Sequence, residues 1–73
     1  PDDMSEYILD DNMNIIDVLH NSDLVGSKSE ARRLLNQGAI RIDGEKVSDM
    51  EFMLSKGTEY IIKAGKRRFL KVK

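Results

Sequence analysis

Residues 26–45 read GSKSEARRLLNQGAIRIDGE, and the punctuation of that stretch specifies a helix, a stop, a strand and a turn, in that order. Ser27 and Glu30 stand in the S-x-x-E spacing of a capping box, in which each side chain satisfies an amide that the first helical turn leaves unpaired. Ala31, Leu34 and Leu35 form an apolar stripe, and Gly38 falls where a left-handed helix stop is wanted. The spacing predicts a helix over about 28–37. Ile40 and Ile42 then alternate with Arg41, the period of a half-buried strand. Asp43-Gly44 supplies two residues that accept positive φ in a tight hairpin turn.

Working outward, NIIDVLHNSD at 14–23 places Ile15, Ile16, Val18 and Leu19 on one helical face. Asn14 is a suitable N-cap and Asp17 suits the positive end of the helix dipole, so a short helix is expected near 15–21. On the far side, MEFML at 50–54 reads as a packing loop or a strand fragment. TEYIIKAGKRRFLKV, beginning at Thr58, gives two strand-like runs around a turn at Ala64-Gly65. The acidic run PDDMSEYILDDNM, residues 1–13, reads as a linker or tail that docks weakly, leaving 14–73 as the folded domain. The order helix, helix, hairpin, loop, hairpin predicts an α+β fold, with two short packed helices on one face of a small antiparallel sheet.

With 73 residues there is room for one domain. Small domains often lean on disulfides or a metal. The absence of cysteine excludes a disulfide frame and a cysteine-based zinc site. The chain begins at Pro1 and so reads as a piece cut from a longer protein. No apolar run approaches the roughly 20 residues that span a bilayer, and no signal-peptide pattern is present, which fits a cytoplasmic protein.

The net charge of −1 conceals a segregation. Residues 1–24 carry seven acids and no Lys or Arg, whereas residues 25–73 carry all twelve Lys and Arg against six acids, a net of +6. Such asymmetry is expected where one face meets a polyanion.

Catalytic readings of these residues fail one after another. A P-loop needs G-x-x-x-x-G-K-[ST], and with Lys28 as its lysine both glycine positions are serines, Ser22 and Ser27. The SKS run at 27–29 echoes a mobile lysine loop of class I aminoacyl-tRNA synthetases, but here it passes directly into a capped helix with no nucleotide-binding body around it. His20, the one histidine, is placed to meet the unpaired carbonyls at the end of the first helix. Asp43 with Glu45, and Asp49 with Glu51, are better explained by turn chemistry than as acid–base pairs. Met50, Phe52, Met53 and Leu54 read as core filler, or alternatively as a protein-interaction site.

The binding reading is stronger. At about 100° per residue, with Ala31 at zero, Lys28, Arg32, Asn36, Ser29 and Arg33 fill one polar arc from about 60° to about 200°. The helix N-terminus beside that arc is favourable for an anion. GKRR at 65–68 is a second basic cluster, and Arg41 and Lys46 across the first hairpin extend the surface. Tyr60 and Phe69 are candidates for base stacking or, more simply, for core packing.

The run SKSEARRLLNQGAIRIDGEKV, residues 27–47, resembles the RNA-binding domain named for small-subunit ribosomal protein four: Ser-Lys-Ser-x-Ala-x-x-Leu opening a helix, then Gly, an alternating strand and a tight turn. The likeness covers about 14–73, and within that family the helix wording and the terminal AGKRRFLKV are similar to the C-terminal domains of bacterial tyrosyl-tRNA synthetases. Asp43 departs from the Asn common in the family, placing an acid near the expected RNA face. Ala64 stands where many of the synthetases have Arg, implying a looser grip at that turn.

The resemblance implies structured RNA, tRNA(Tyr) above all, held near its anticodon stem and long variable arm. By motif position it assigns binding to Ser27, Lys28, Arg32, Arg33 and Gln37, and more loosely to Arg41, Lys46, Lys66, Arg67 and Arg68. It implies no cofactor, metal or catalysis for this stretch. The ATP- and tyrosine-using machinery would lie upstream, in a cytoplasmic homodimer, with the isolated domain a monomer and no membrane as partner. The alternatives are an RNA-binding domain of a ribosome-associated or RNA-modifying protein, or a protein-interaction domain. On the first reading the acidic segment keeps a linker off the basic face, and neutralising Asp2, Asp3, Asp10 and Asp11 is expected to strengthen RNA binding.

Overall fold

A computed structural model describes residues 4–73. Its elements run β1 (Ser5–Tyr7), β2 (Met13–Asn14), α1 (Ile15–Asn21), α2 (Lys28–Asn36), β3 (Ile40–Ile42), β4 (Glu45–Lys46), β5 (Met53–Leu54), β6 (Tyr60–Ala64) and β7 (Arg68–Val72). Five strands form a sheet in the order β1-β7-β6-β3-β4, and β2 pairs with β5 in a separate two-stranded piece. The fold is α+β, as the sequence pattern predicts.

Both helices begin and end where their signals stand. The Asn14 side chain accepts from the Ile16 amide at 2.8 Å, and Ser27 Oγ accepts from the Glu30 amide at 3.1 Å. The capping box is closed differently from expectation: Glu30 Oε1 accepts from the amide of Gly26, at 3.3 Å, one residue before the cap. Gly38 stops α2 with φ of 73°. Its position is crowded as well, since a Cβ there would meet Lys46 Cδ at 3.1 Å.

Alternation explains the sheet. Ile40, Ile42, Ile62, Ala64, Leu70 and Val72 point to one face and join Ile15, Val18, Leu19, Ala31 and Leu35 of the helices in a single core. Arg41, between its two isoleucines, points to the other face. Asp43 and Gly44 both adopt positive φ, 52° and 87°, as the turn requires. Asp43 is further fixed by an exchange with β6: its amide donates to Ile61 O at 2.8 Å, and its carboxylate accepts from the Ile61 amide at 3.0 Å.

Three features differ from the sequence-based expectation. The sheet is mixed, because β1 lies parallel to β7 with Ser5 opposite Leu70 and Tyr7 opposite Val72. The described part of the acidic segment is thereby built into the fold. The ladder continues through Lys73 N to Tyr7 O at 3.0 Å and Leu9 N to Lys73 O at 2.8 Å, and Leu9 is 3% exposed. Acidic residues mask that strand in the sequence, yet Tyr7 and Leu9 still supply an alternating apolar pair. Lastly, Ala64 is the buried final residue of β6, opposite Arg68. The turn therefore comprises 65–67, with Gly65 at φ of 68°. The ambiguous 50–54 segment provides β5 through Met53 and Leu54, the latter fully buried.

Candidate nucleic-acid interface

The position of the last hairpin is set by one backbone bond and by one arginine side chain. Gly65 N–H donates to Ala39 O at 2.9 Å, fastening the turn to the junction between α2 and β3. Arg68 Nη1 reaches across to Glu30 Oε1 at 3.1 Å and to Leu24 O at 3.3 Å, fastening the start of β7 to the first turn of α2 and the loop before it. Arg68 is opposite Ala64 and Ala64 opposite Ile40, a row that faces the helices, so the register directs the arginine towards α2.

Between α2 and the hairpin tip lies an open cleft of about 360 Å3 lined by Glu30, Arg33, Leu34 and residues 64–68. Arg33, Lys66, Arg67 and Arg68 thus share one concavity, drawn from two segments far apart in sequence. The one acid among them is Glu30. The Gly26 amide and then Arg68, with a further contribution from Arg33 at 4.0 Å, hold its carboxyl below the ordinary glutamate value. Glu30 is therefore anionic at neutral pH, and its charge fixes Arg68. A second hollow of about 590 Å3 continues past Arg67, Arg68 and Phe69 to Asp23, Leu24, Val25 and Gly26.

The remaining site residues fall as follows. Ser27 is committed to capping α2. Lys28 is tied to Asp17 of α1 at 3.1 Å, a pairing that no local pattern reveals. Arg32, Lys66 and Arg67 are exposed and have no carboxylate within salt-bridge reach among the described residues. Gln37 is the exposed C-cap of α2. Lys46 runs along Gly38 at the end of the same helix. Arg41 stands apart from the cleft, on the helix-free face of the sheet, and donates to Gly44 O at 3.2 Å.

Tyr60 packs on the core and its hydroxyl accepts from the Ser55 amide at 2.9 Å, so it is structural. Phe69 is not part of the core and lies under the Lys63 ammonium, 5.5 Å from the ring centroid. The expectation for His20 is not met at Nδ1, which is buried without a hydrogen-bond partner. Asp2 and Asp3 lie outside the described residues. No helix among the described residues is long and apolar enough to cross a membrane.

Comparison with known proteins decides the family. Residues 2–72 match the family model described as "Tyrosine--tRNA ligase SYY-like C-terminal domain". The chain belongs to that family. Among curated relatives, the tyrosine–tRNA ligase of Dehalococcoides mccartyi is 51% identical over 73 residues, 97% of this chain and 18% of the relative. That of Shewanella oneidensis is 45% identical over 74 residues, 99% of this chain and 19% of the relative. That of Francisella tularensis is 43% identical over 72 residues, 99% and 18%. The chain thus spans about a fifth of the length of the ligases it matches, the share taken by their C-terminal domain. The match begins at residue 2, within the segment that reads as a linker from composition alone.

Proposed function

We propose that this domain binds tRNA(Tyr) on behalf of a tyrosine–tRNA ligase, taking RNA phosphates into the cleft between α2 and the β6–β7 hairpin. The observation that carries the reading is the convergence of Arg33, Lys66, Arg67 and Arg68 on one concavity, beside exposed Arg32, in a chain of this family. Structured RNA is recognised largely by helix shape and by phosphate and 2′-hydroxyl contacts. A pre-set arginine, Arg68, flanked by further cations suits that task. Arg68 is held by Glu30 through Nη1 and Arg33 lies 4.0 Å from the same carboxylate, while Lys66 and Arg67 at the tip are free to follow a backbone.

On this reading the long variable arm and anticodon stem are the regions gripped. The parent is a cytoplasmic homodimer whose catalytic body uses ATP and tyrosine, and that body raises the effective concentration of this domain near the tRNA. The test is a salt titration of the chain against tRNA(Tyr), beside a tRNA with a short variable arm. A log–log slope of several units is expected if about six cations meet phosphates. Preference for tRNA(Tyr) supports the ligase reading. Salt-sensitive binding without preference leaves an RNA-binding domain of broader use. Absence of binding in low salt overturns the proposal in favour of a protein-interaction role.

A further inference from the structure

The face of the sheet turned away from the helices carries an arrangement that the cleft does not use. Register sets Arg41 directly opposite Lys46 on one side and Lys63 on the other, and Lys63 directly opposite Phe69. One transverse row therefore reads Lys46, Arg41, Lys63, Phe69 across four adjacent strands spaced about 4.8 Å apart. Because the Lys46 side chain turns along Gly38 at the end of α2, the outer face keeps Arg41, Lys63 and Phe69. Like charges directly opposite one another destabilise a sheet. Here Arg41 and Lys63 stand opposite one another, and neither has a carboxylate within salt-bridge reach among the described residues. Two residues along the strands, Lys71 is answered by Glu59 at 3.9 Å, and the neighbouring Lys73 by Glu6 at 3.3 Å. The sheet is neutralised at that end and left cationic at the end nearest the hairpin tip.

Phe69 completes the arrangement. It is half-buried yet outside the core, and its contact with Lys63 is one that an incoming phosphate can replace. A ring on a cationic surface is the combination that binds unpaired nucleotides: bases stack on the aromatic face and phosphates follow the charges.

We infer that the outer face of the sheet binds an unpaired RNA segment, with a base on Phe69 and its flanking phosphates on Lys63 and Arg41. This rests on the proposed RNA-binding role of the cleft and extends it. The β6–β7 hairpin would carry duplex on its helix side and an unpaired stretch on its outer side.

The test compares two probes binding to the chain: an RNA hairpin with a fully paired stem, and the same hairpin with a four-nucleotide unpaired extension. The extension is expected to tighten binding about tenfold. Phe69→Ala should abolish that gain while leaving affinity for the paired hairpin within about twofold. Arg41→Gln and Lys63→Gln should each remove part of the gain and lower the salt slope by about one. Thermal melting of each variant separates loss of contact from loss of fold, and Phe69→Tyr, which keeps an aromatic face, should retain the gain. Equal affinity for the two probes, or a gain that survives Phe69→Ala, overturns this inference and leaves the cleft reading standing. Binding to neither probe overturns both.

Discussion

Glu30 Oε1 and Arg68 Nη1 meet at 3.1 Å across 38 residues of sequence, joining the first turn of α2 to the start of β7. The same carboxylate oxygen accepts from the Gly26 amide, so one side chain closes the helix N-terminus and anchors the basic hairpin. A glutamate inside a cationic site works against binding an anion directly. Its compensation is geometric, because it orders Arg68 before any ligand arrives.

This pairing predicts a pH dependence. Glu30 has a folded-state pKa lowered from the ordinary 4.5, first by the Gly26 amide and then by Arg68. A lowered folded value means that the unfolded chain takes up the proton first as pH falls. The stabilisation is complete at neutral pH, begins to fade as pH approaches 4.5, and is gone once pH drops below the folded value. Glu30→Gln should flatten that part of the acid limb in urea melts from pH 6 to pH 3, with little change in slope above it. An unchanged acid limb would show that other carboxylates carry it.

The N-cap of α2 gives a sharper figure. Ser27 Oγ satisfies the Glu30 amide, and removing such a cap costs about 1 kcal/mol. In a domain of this size that lowers Tm by roughly 4–8 °C. Ser27→Ala should show that loss and Ser27→Asp should recover most of it, measured by circular dichroism at 222 nm. If Ser27→Ala instead weakens RNA binding with an unchanged Tm, the hydroxyl serves the ligand rather than the helix.

The helices, the Gly38 stop and the Asp43-Gly44 turn were legible because each is encoded within a few residues: a cap, an apolar stripe, a residue tolerant of positive φ. The parallel β1 was hidden because its partner strand lies at the other end of the chain, and only Tyr7 and Leu9 hint at it among acids. The candidate site divides along the same line. Wheel geometry gathered Lys28, Arg32 and Arg33 on one arc of α2, but not the Asp17 that ties up Lys28 or the register that sends Arg41 to the opposite face. Phe69 could be told from a core residue only by counting strand parity from Leu70 and Val72, which are buried on the other side.

Asp43 offers a test of turn chemistry against charge. It combines a φ of 52° with a carboxylate–amide bond to Ile61. Asp43→Asn keeps both the tolerance of positive φ and an acceptor oxygen, so its stability should lie within about 0.5 kcal/mol of the parent. Asp43→Ala loses the hydrogen bond, about 0.5–1.5 kcal/mol, and adds strain of roughly 1 kcal/mol. Urea denaturation distinguishes the pair. Equal losses in both variants would mean that the carboxylate charge itself holds the turn.

Leu9 decides whether the acidic segment is a linker or part of the domain. A linker residue is exposed in the folded state, and truncating it changes stability little. Leu9 is 3% exposed and belongs to the same core as Ile15 and Leu70, and its amide extends the β1–β7 ladder to Lys73 O. Burying a leucine side chain is worth about 1.5–3 kcal/mol, and truncation to alanine in a core costs about 2–5 kcal/mol once the cavity is included. For a 73-residue domain that is a large share of its total stability. Leu9→Ala should therefore lower the urea midpoint sharply, whereas Ile8→Ala, at a position 69% exposed, should leave it nearly unchanged. The asymmetry between two adjacent aliphatic residues is the signature of a strand edge held against a core. Equal and small effects at both positions would return the segment to the role of a tether.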